Sequence, residues 1–99
     1  MALKNYKVTT TTADTDTDLI STLSGVDVII LSFEIIAPTA GVVEIKRNDG
    51  TNDYAPIALN LDAGDIVALD HKIVIPDGHK LIVKSDQTDT EFIVNVDEE

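Results

Sequence analysis

Val26-Asp27-Val28-Ile29-Ile30-Leu31-Ser32-Phe33-Glu34-Ile35-Ile36-Ala37 is the stretch that decides the fold. Side chains of a β-strand point alternately to opposite faces, so one face reads Ile29, Leu31, Phe33, Ile35, Ala37 and the other Val28, Ile30, Ser32, Glu34, Ile36. The first is the predicted core face. The second should be mostly polar if it faced water, yet three of its five residues are β-branched aliphatics.

Outward from this strand, shorter alternating or aliphatic runs recur, separated by turn chemistry. They are Tyr6–Thr12, Leu19–Leu23, Val42–Asn48, Tyr54–Leu59, Ile66–Asp70, Lys72–Pro76, Lys80–Ser85 and Glu91–Val96. Between them lie Pro38-Thr39-Ala40-Gly41, Asp62-Ala63-Gly64-Asp65 and Asp86-Gln87-Thr88-Asp89, with Asn48-Asp49-Gly50 and Pro76-Asp77-Gly78 as the best hairpin signals. No run longer than two turns keeps helical spacing with a capped start. The expected fold is all-β: an antiparallel β-sandwich or barrel of about eight short strands.

Two-faced aliphatic character recurs at Ile66-Val67-Ala68-Leu69, Ile73-Val74-Ile75 and Leu81-Ile82-Val83. Such strands are either central ones covered on both sides within the chain, or strands whose outer face is buried against another subunit. A chain of 99 residues has one modest core. Four such strands exceed what it can hide, which favours an assembly contact.

Residues 1–18 read differently from 19–99. Lys4-Asn5-Tyr6-Lys7-Val8 is followed by a Thr/Asp tract, Thr9 to Asp18, with high β propensity and little to bury. The segment is expected to be an extended N-terminal arm, pairing as an edge strand or lying along a neighbour, with a frayed terminus as the alternative, and residues 19–99 as the β-sandwich domain. Lys4 and Lys7 would dock it on an acidic surface.

The net charge of -11 disfavours a phosphate backbone as ligand, so no nucleic-acid partner is expected. Thirteen of the eighteen acids are Asp, and most of these stand in turns, so turn preference explains much of the charge. Without cysteine there is neither disulfide nor thiolate site. Met1 to Lys7 lacks the apolar run of a secretory signal, and no stretch approaches the roughly 18 apolar residues of a membrane span. The expectation is synthesis in a cytoplasm, no secretion and no membrane partner.

Chemistry-bearing motifs are sparse. Asp14-x-Asp16-x-Asp18 imitates the start of a calcium loop, but its sixth position is Leu19 and its twelfth Gly25, where the loop needs Gly and a bidentate Glu. His71 and His79 alone cannot complete a zinc site. Ser21, Ser24, Ser32 and Ser85 stand in no nucleophile elbow, and the five glycines form no phosphate loop. Phe33 and Phe92 fall on core faces, leaving Tyr6 and Tyr54 for stacking on sugars or bases. No enzyme and no cofactor are expected.

The second half, from Leu61-Asp62-Ala63-Gly64-Asp65-Ile66 through Lys72-Ile73-Val74-Ile75-Pro76-Asp77-Gly78-His79-Lys80-Leu81-Ile82-Val83-Lys84-Ser85 to Glu91-Phe92-Ile93-Val94-Asn95-Val96, resembles small virion proteins of tailed bacteriophages. The likeness spans residues 54–96. It implies an all-β structural subunit that binds a repeated protein surface: a capsid decoration (cement) protein, or a head-completion or tail protein. The Thr/Asp arm is a departure from that pattern. The expected partners are the chain itself, as a homo-oligomer with a trimer favoured, and major capsid or other virion proteins. The expected contact residues are Lys4, Tyr6, Lys7, Val8, Val28, Ile30 and Ile36. The reading from another class is a small carbohydrate-binding or adhesion sandwich, built on Tyr54.

Overall fold

The computed structural model describes residues 2–20, 27–69 and 73–98. These form nine strands and no helix: β1 (Ala2–Thr9), β2 (Thr17–Ile20), β3 (Val28–Ala37), β4 (Gly41–Asn48), β5 (Asp53–Leu61), β6 (Asp65–Leu69), β7 (Ile73–Ile75), β8 (Lys80–Ser85) and β9 (Glu91–Glu98). One antiparallel sheet, sheet A, has the order β1-β9-β3-β6, with β7 also on β3; the other, sheet B, has the order β2-β8-β4-β5. The expected all-β sandwich is the observed architecture. Strand β6 pairs Phe33–Ala37 and β7 pairs Val28–Ile30, so the two lie end to end on one edge of β3. Counted as one interrupted strand, they give the strand order of a jelly roll.

The predicted strands lie within a few residues of the observed ones, except that Ser21–Val26 and Asp70–Lys72 fall outside the described residues. The two hairpin signals part company. Asn48 to Asp53 does join paired neighbours, β4 and β5. Pro76-Asp77-Gly78 makes a tight turn, with His79 N–H donating to the Pro76 carbonyl at 3.0 Å, but carries the chain from sheet A to sheet B. Turn chemistry reports the reversal of the chain and leaves open which sheet it enters next.

Between the sheets sits one core. Phe33, Ile35 and Ala37 of β3, Val43 and Ile45 of β4, Leu81 and Val83 of β8 and Phe92, Val94 and Val96 of β9 are all buried in it. Phe33 and Phe92 meet edge to face, centroids 6.4 Å apart at 83°. Tyr6, Val8, Leu59 and Val67 pack on its margin.

Strand β3 departs from simple alternation. Its register on β9 shifts between Ile30, opposite Val96, and Ser32, opposite Asn95, so Leu31 is the extra residue of a β-bulge. Upstream of the bulge the inward residues are therefore Val28 and Ile30, both 1 % exposed, while downstream they are Phe33, Ile35 and Ala37. Leu31 stands out to solvent, 54 % exposed. This corrects the face reading: Leu31 leaves the predicted core face, Ile29 is only half-buried, and Val28 and Ile30 join the core instead of a contact surface. An aliphatic run at 28–31 fills both phases of the alternation equally, so nothing in the sequence marks where the phase changes.

Residues 1–18, set apart as an extendable arm, are bonded onto the body wherever described. Strand β1 pairs with β9 from Ala2 opposite Glu98 to Thr9 opposite Glu91, the edge-strand alternative. Thr10 is 1 % exposed and is held in a buried hydroxyl cluster: its Oγ1 donates to the Gln87 carbonyl (2.9 Å) and accepts from Thr90 N–H (3.0 Å), while Ser85 Oγ and Thr90 Oγ1 bond each other at 2.9 Å. Asp14, in left-handed backbone at φ 56°, turns the chain towards β2, its N–H donating to the Ser85 carbonyl. Asp tolerates that conformation better than most residues, which accounts for an acid here.

Candidate functional site

The two outer faces of the sandwich differ in kind. On sheet B, β2, β4, β5 and β8 present an ionic surface. Lys46, 8 % exposed, brings its ammonium within 3.0 Å of Asp16, 3.3 Å of Asp53 and 3.5 Å of Glu44; Lys80 lies 3.6 Å from Asp18. The Asp14-x-Asp16-x-Asp18 motif is thereby spread over a turn and two separate ion pairs. Among the described residues no group of three His, Asp or Glu side chains is placed to hold a metal ion.

Asp16 and then Asp53 hold the Lys46 ammonium above its ordinary pKa, against the effect of burial. Asp53 is lowered by Asn48 and by Lys46. In the neighbouring β4–β5 turn, Asp49 accepts from Asn52 N–H (2.7 Å), Thr51 N–H (2.9 Å) and the Tyr54 hydroxyl (2.9 Å), which pull its pKa down to about 2. Tyr54 is 40 % exposed and stacks on His79 at 6.3 Å, with the Arg47 guanidinium 5.6 Å from its ring. His79 is thus half-buried beneath an aromatic ring, and His71 lies outside the described residues.

The outer face of sheet A is apolar along both ends and polar across its middle. Register sets its rows. Leu3, Asp97, Ile29 and Val74 form one; Asn5, Asn95 and Ser32, beside the bulged Leu31, the next; then Lys7, Ile93, Glu34 and Ala68; then Thr9, Glu91, Ile36 and Ile66. Of the six large apolar residues that are substantially exposed among the described ones, four stand here: Leu3 (71 %), Ile66 (67 %), Leu31 (54 %) and Val74. Asn5 Nδ2 donates to Asn95 Oδ1 (2.7 Å) and Asn95 Nδ2 to Ser32 Oγ (2.8 Å), a side-chain ladder over three strands. Beside it, Leu3, Lys4, Asn5, Leu31, Asn95 and Val96 line a shallow groove of about 380 Å³.

Of the expected contact residues, Ile36 and Lys7 stand in the rows of this face and Lys4 lines its groove. Val28 and Ile30 are core. Tyr6 and Val8 point to the core margin, and Tyr6 donates its hydroxyl to Glu98. Burial and that carboxylate push the Tyr6 pKa up to about 12. Lys4 and Lys7, expected to reach a neighbour, instead pair with Glu98 (3.0 Å) and Glu91 of the same chain, because the β1–β9 register brings those acids alongside. Leu3, Leu31, Ile66, Val74 and Asp97 went unrecognised. For Ile66 and Val74 the two-faced aliphatic strands were the signal; for Leu31 there was none without the register.

The acid groups fix a pH profile. Asp49 is depressed to about 2, and Asp53 and Glu98, the latter by Tyr6 and Lys4, are also lowered. Their stabilising contribution is complete above the ordinary carboxylate pKa of about 4 and is lost as pH falls through the folded values. Lys46 and Tyr6 are raised, so their contribution is complete below about pH 10 and lost above it. Thermal unfolding followed by circular dichroism should show a plateau between about pH 5 and 9 and a falling midpoint below about pH 4. Relief of the -11 charge makes the acid limb shallower, but a midpoint that climbs steadily down to about pH 2.5 contradicts these pairings.

No family model matches the chain, and comparison with curated protein sequences finds no match.

Proposed function

We propose that this chain is a non-enzymatic structural subunit of a bacteriophage particle, in the first place a capsid decoration protein that stabilises the head by contacts with major capsid protein and with copies of itself, three copies being the favoured group. The observation that carries the reading is the outer face of sheet A, where Leu3, Leu31, Ile66 and Val74 stay exposed on a chain whose core is already filled. Exposed apolar patches of this kind mark interaction surfaces. The jelly-roll strand order is compatible with it, since viral capsid domains use that architecture; lectin domains use it too, so the site and not the fold has to decide. A face of this size supplies a modest contact, and repetition over a shell multiplies it.

Mass spectrometry of gradient-purified particles from the genome that encodes the chain tests the reading. The chain should be present in fixed ratio to the major capsid protein. A ratio of a few copies per particle points to the head-completion or tail alternative, and absence from the particle overturns all three.

One observation favours the reading from another class. Tyr54, 40 % exposed over His79, offers a single-ring stacking platform of the sort a carbohydrate-binding module needs. On that reading a Tyr54→Ala variant loses binding on a glycan array; on the structural reading the wild type binds no glycan to begin with.

A further inference from the structure

The apolar face of sheet A also carries charge, and the charge is not balanced. Lys7 pairs with Glu91. Glu34, exposed in the middle of the face, and Asp97, 7 % exposed beside Leu3 and Ile29, have no cationic partner among the described residues. Asp97 Oδ1 is enclosed and accepts no hydrogen bond. A carboxylate oxygen enclosed without a donor is costly, and a cation brought by a partner surface to the part of Asp97 that stays exposed would offset that cost.

The occupant can be narrowed further. Four strands about 4.8 Å apart and eight residues about 3.4 Å each give a face of roughly 500 Å². That falls below the roughly 800 Å² each partner contributes to a stable interface. A second copy would bring a net charge of -11 against -11, with the same two unpaired acids facing their equivalents. Among the described residues nothing on this face compensates, since Lys7 is already paired with Glu91.

We propose that the outer face of sheet A docks a protein surface that is both aliphatic and basic, presenting Lys or Arg to Asp97 and Glu34, and that copies of this chain do not meet through it. Leu31, turned out by the bulge, and Leu3 supply the apolar grip beside the groove; the Asn5–Asn95–Ser32 ladder is already satisfied within the chain and keeps the middle of the face open to water. This deepens the structural-subunit reading by naming the chemistry of the partner at the same site. Any self-contact is left to other surfaces.

The test is amide chemical-shift mapping on the full chain, titrated with a heptapeptide of alternating Leu and Lys, its Leu/Glu counterpart and its Ser/Lys counterpart. The Leu/Lys peptide should shift amides around Leu3, Ile29, Leu31, Val74 and Asp97. The other two should bind that face at least about tenfold more weakly, and Asp97→Asn should weaken the Leu/Lys peptide at least about tenfold, since losing one charged hydrogen bond has about that effect. Shifts centred on Glu44 and Lys80 of sheet B, equal binding of the Leu/Glu peptide, or a dimer in sedimentation that Leu31→Asp dissolves would each overturn the proposal. The peptide readout involves no particle, so a failure here is distinguishable from a failure of the virion assignment.

Discussion

Replacing Phe92 by alanine is expected to destabilise the protein by about 4 kcal/mol, the upper part of the range for truncating a buried aromatic ring. The side chain is fully buried near the start of β9 and lies edge-on to Phe33 of the neighbouring strand β3. The loss has two parts: the transfer of the ring itself, and the cavity that two rigid sheets cannot close. Edge-to-face contact adds to both. Domains of this length have about 5–15 kcal/mol in total, so Phe92→Ala removes a large share and lowers the melting temperature by about 15–25 °C. Urea unfolding followed by circular dichroism measures it. A change below about 1.5 kcal/mol would mean that the two sheets do not close over this ring.

The second large effect is a contrast between neighbours. Ile30→Ala should cost about 2–4 kcal/mol, whereas Leu31→Ala should cost less than about 1 kcal/mol. Ile30 is 1 % exposed and Leu31 is the bulged residue pointing to solvent. Strict alternation along β3 assigns the reverse order, with Leu31 beside Phe33 in the core and Ile30 outside. The same urea series therefore reads the bulge directly. Leu31 costing more than Ile30 would restore strict alternation and remove the basis for placing Leu31 on the outer face.

These two positions mark how far the sequence can be read. Phe33, Ile35, Ala37 and Phe92 are assigned to the core by alternation alone, and Asn48-Asp49-Gly50 to a true hairpin by turn chemistry, because each depends only on residues a few positions apart. Val28 and Ile30 are misassigned because the bulge is set by pairing with β9, more than sixty residues away, and four consecutive aliphatics carry no trace of it. The Thr tract misleads for a related reason: Thr10 is held in the interior by Gln87 and Thr90, which meet it from the far end of the chain. Lys4 and Lys7 were read as free charges because their partners, Glu98 and Glu91, lie across that same long-range register. The surplus of aliphatic strand surface was legible from counting; which side chains carry it was not. Ile66 and Val74 sit in the two-faced runs, whereas Leu3 and Leu31 emerge only once β1, β9 and β3 are laid side by side.

Rebinding to gradient-purified particles of the encoding genome, stripped of this chain, tests most directly the proposal that the outer face of sheet A is an assembly surface. Wild-type protein and the Leu31→Asp variant, first matched for melting temperature, are mixed with stripped particles and sedimented. Saturable wild-type binding, weakened at least about tenfold in Leu31→Asp, is the predicted result, since a buried unpaired carboxylate costs more than about 1.4 kcal/mol. Equal binding of the two proteins, or no binding by the wild type, would contradict it.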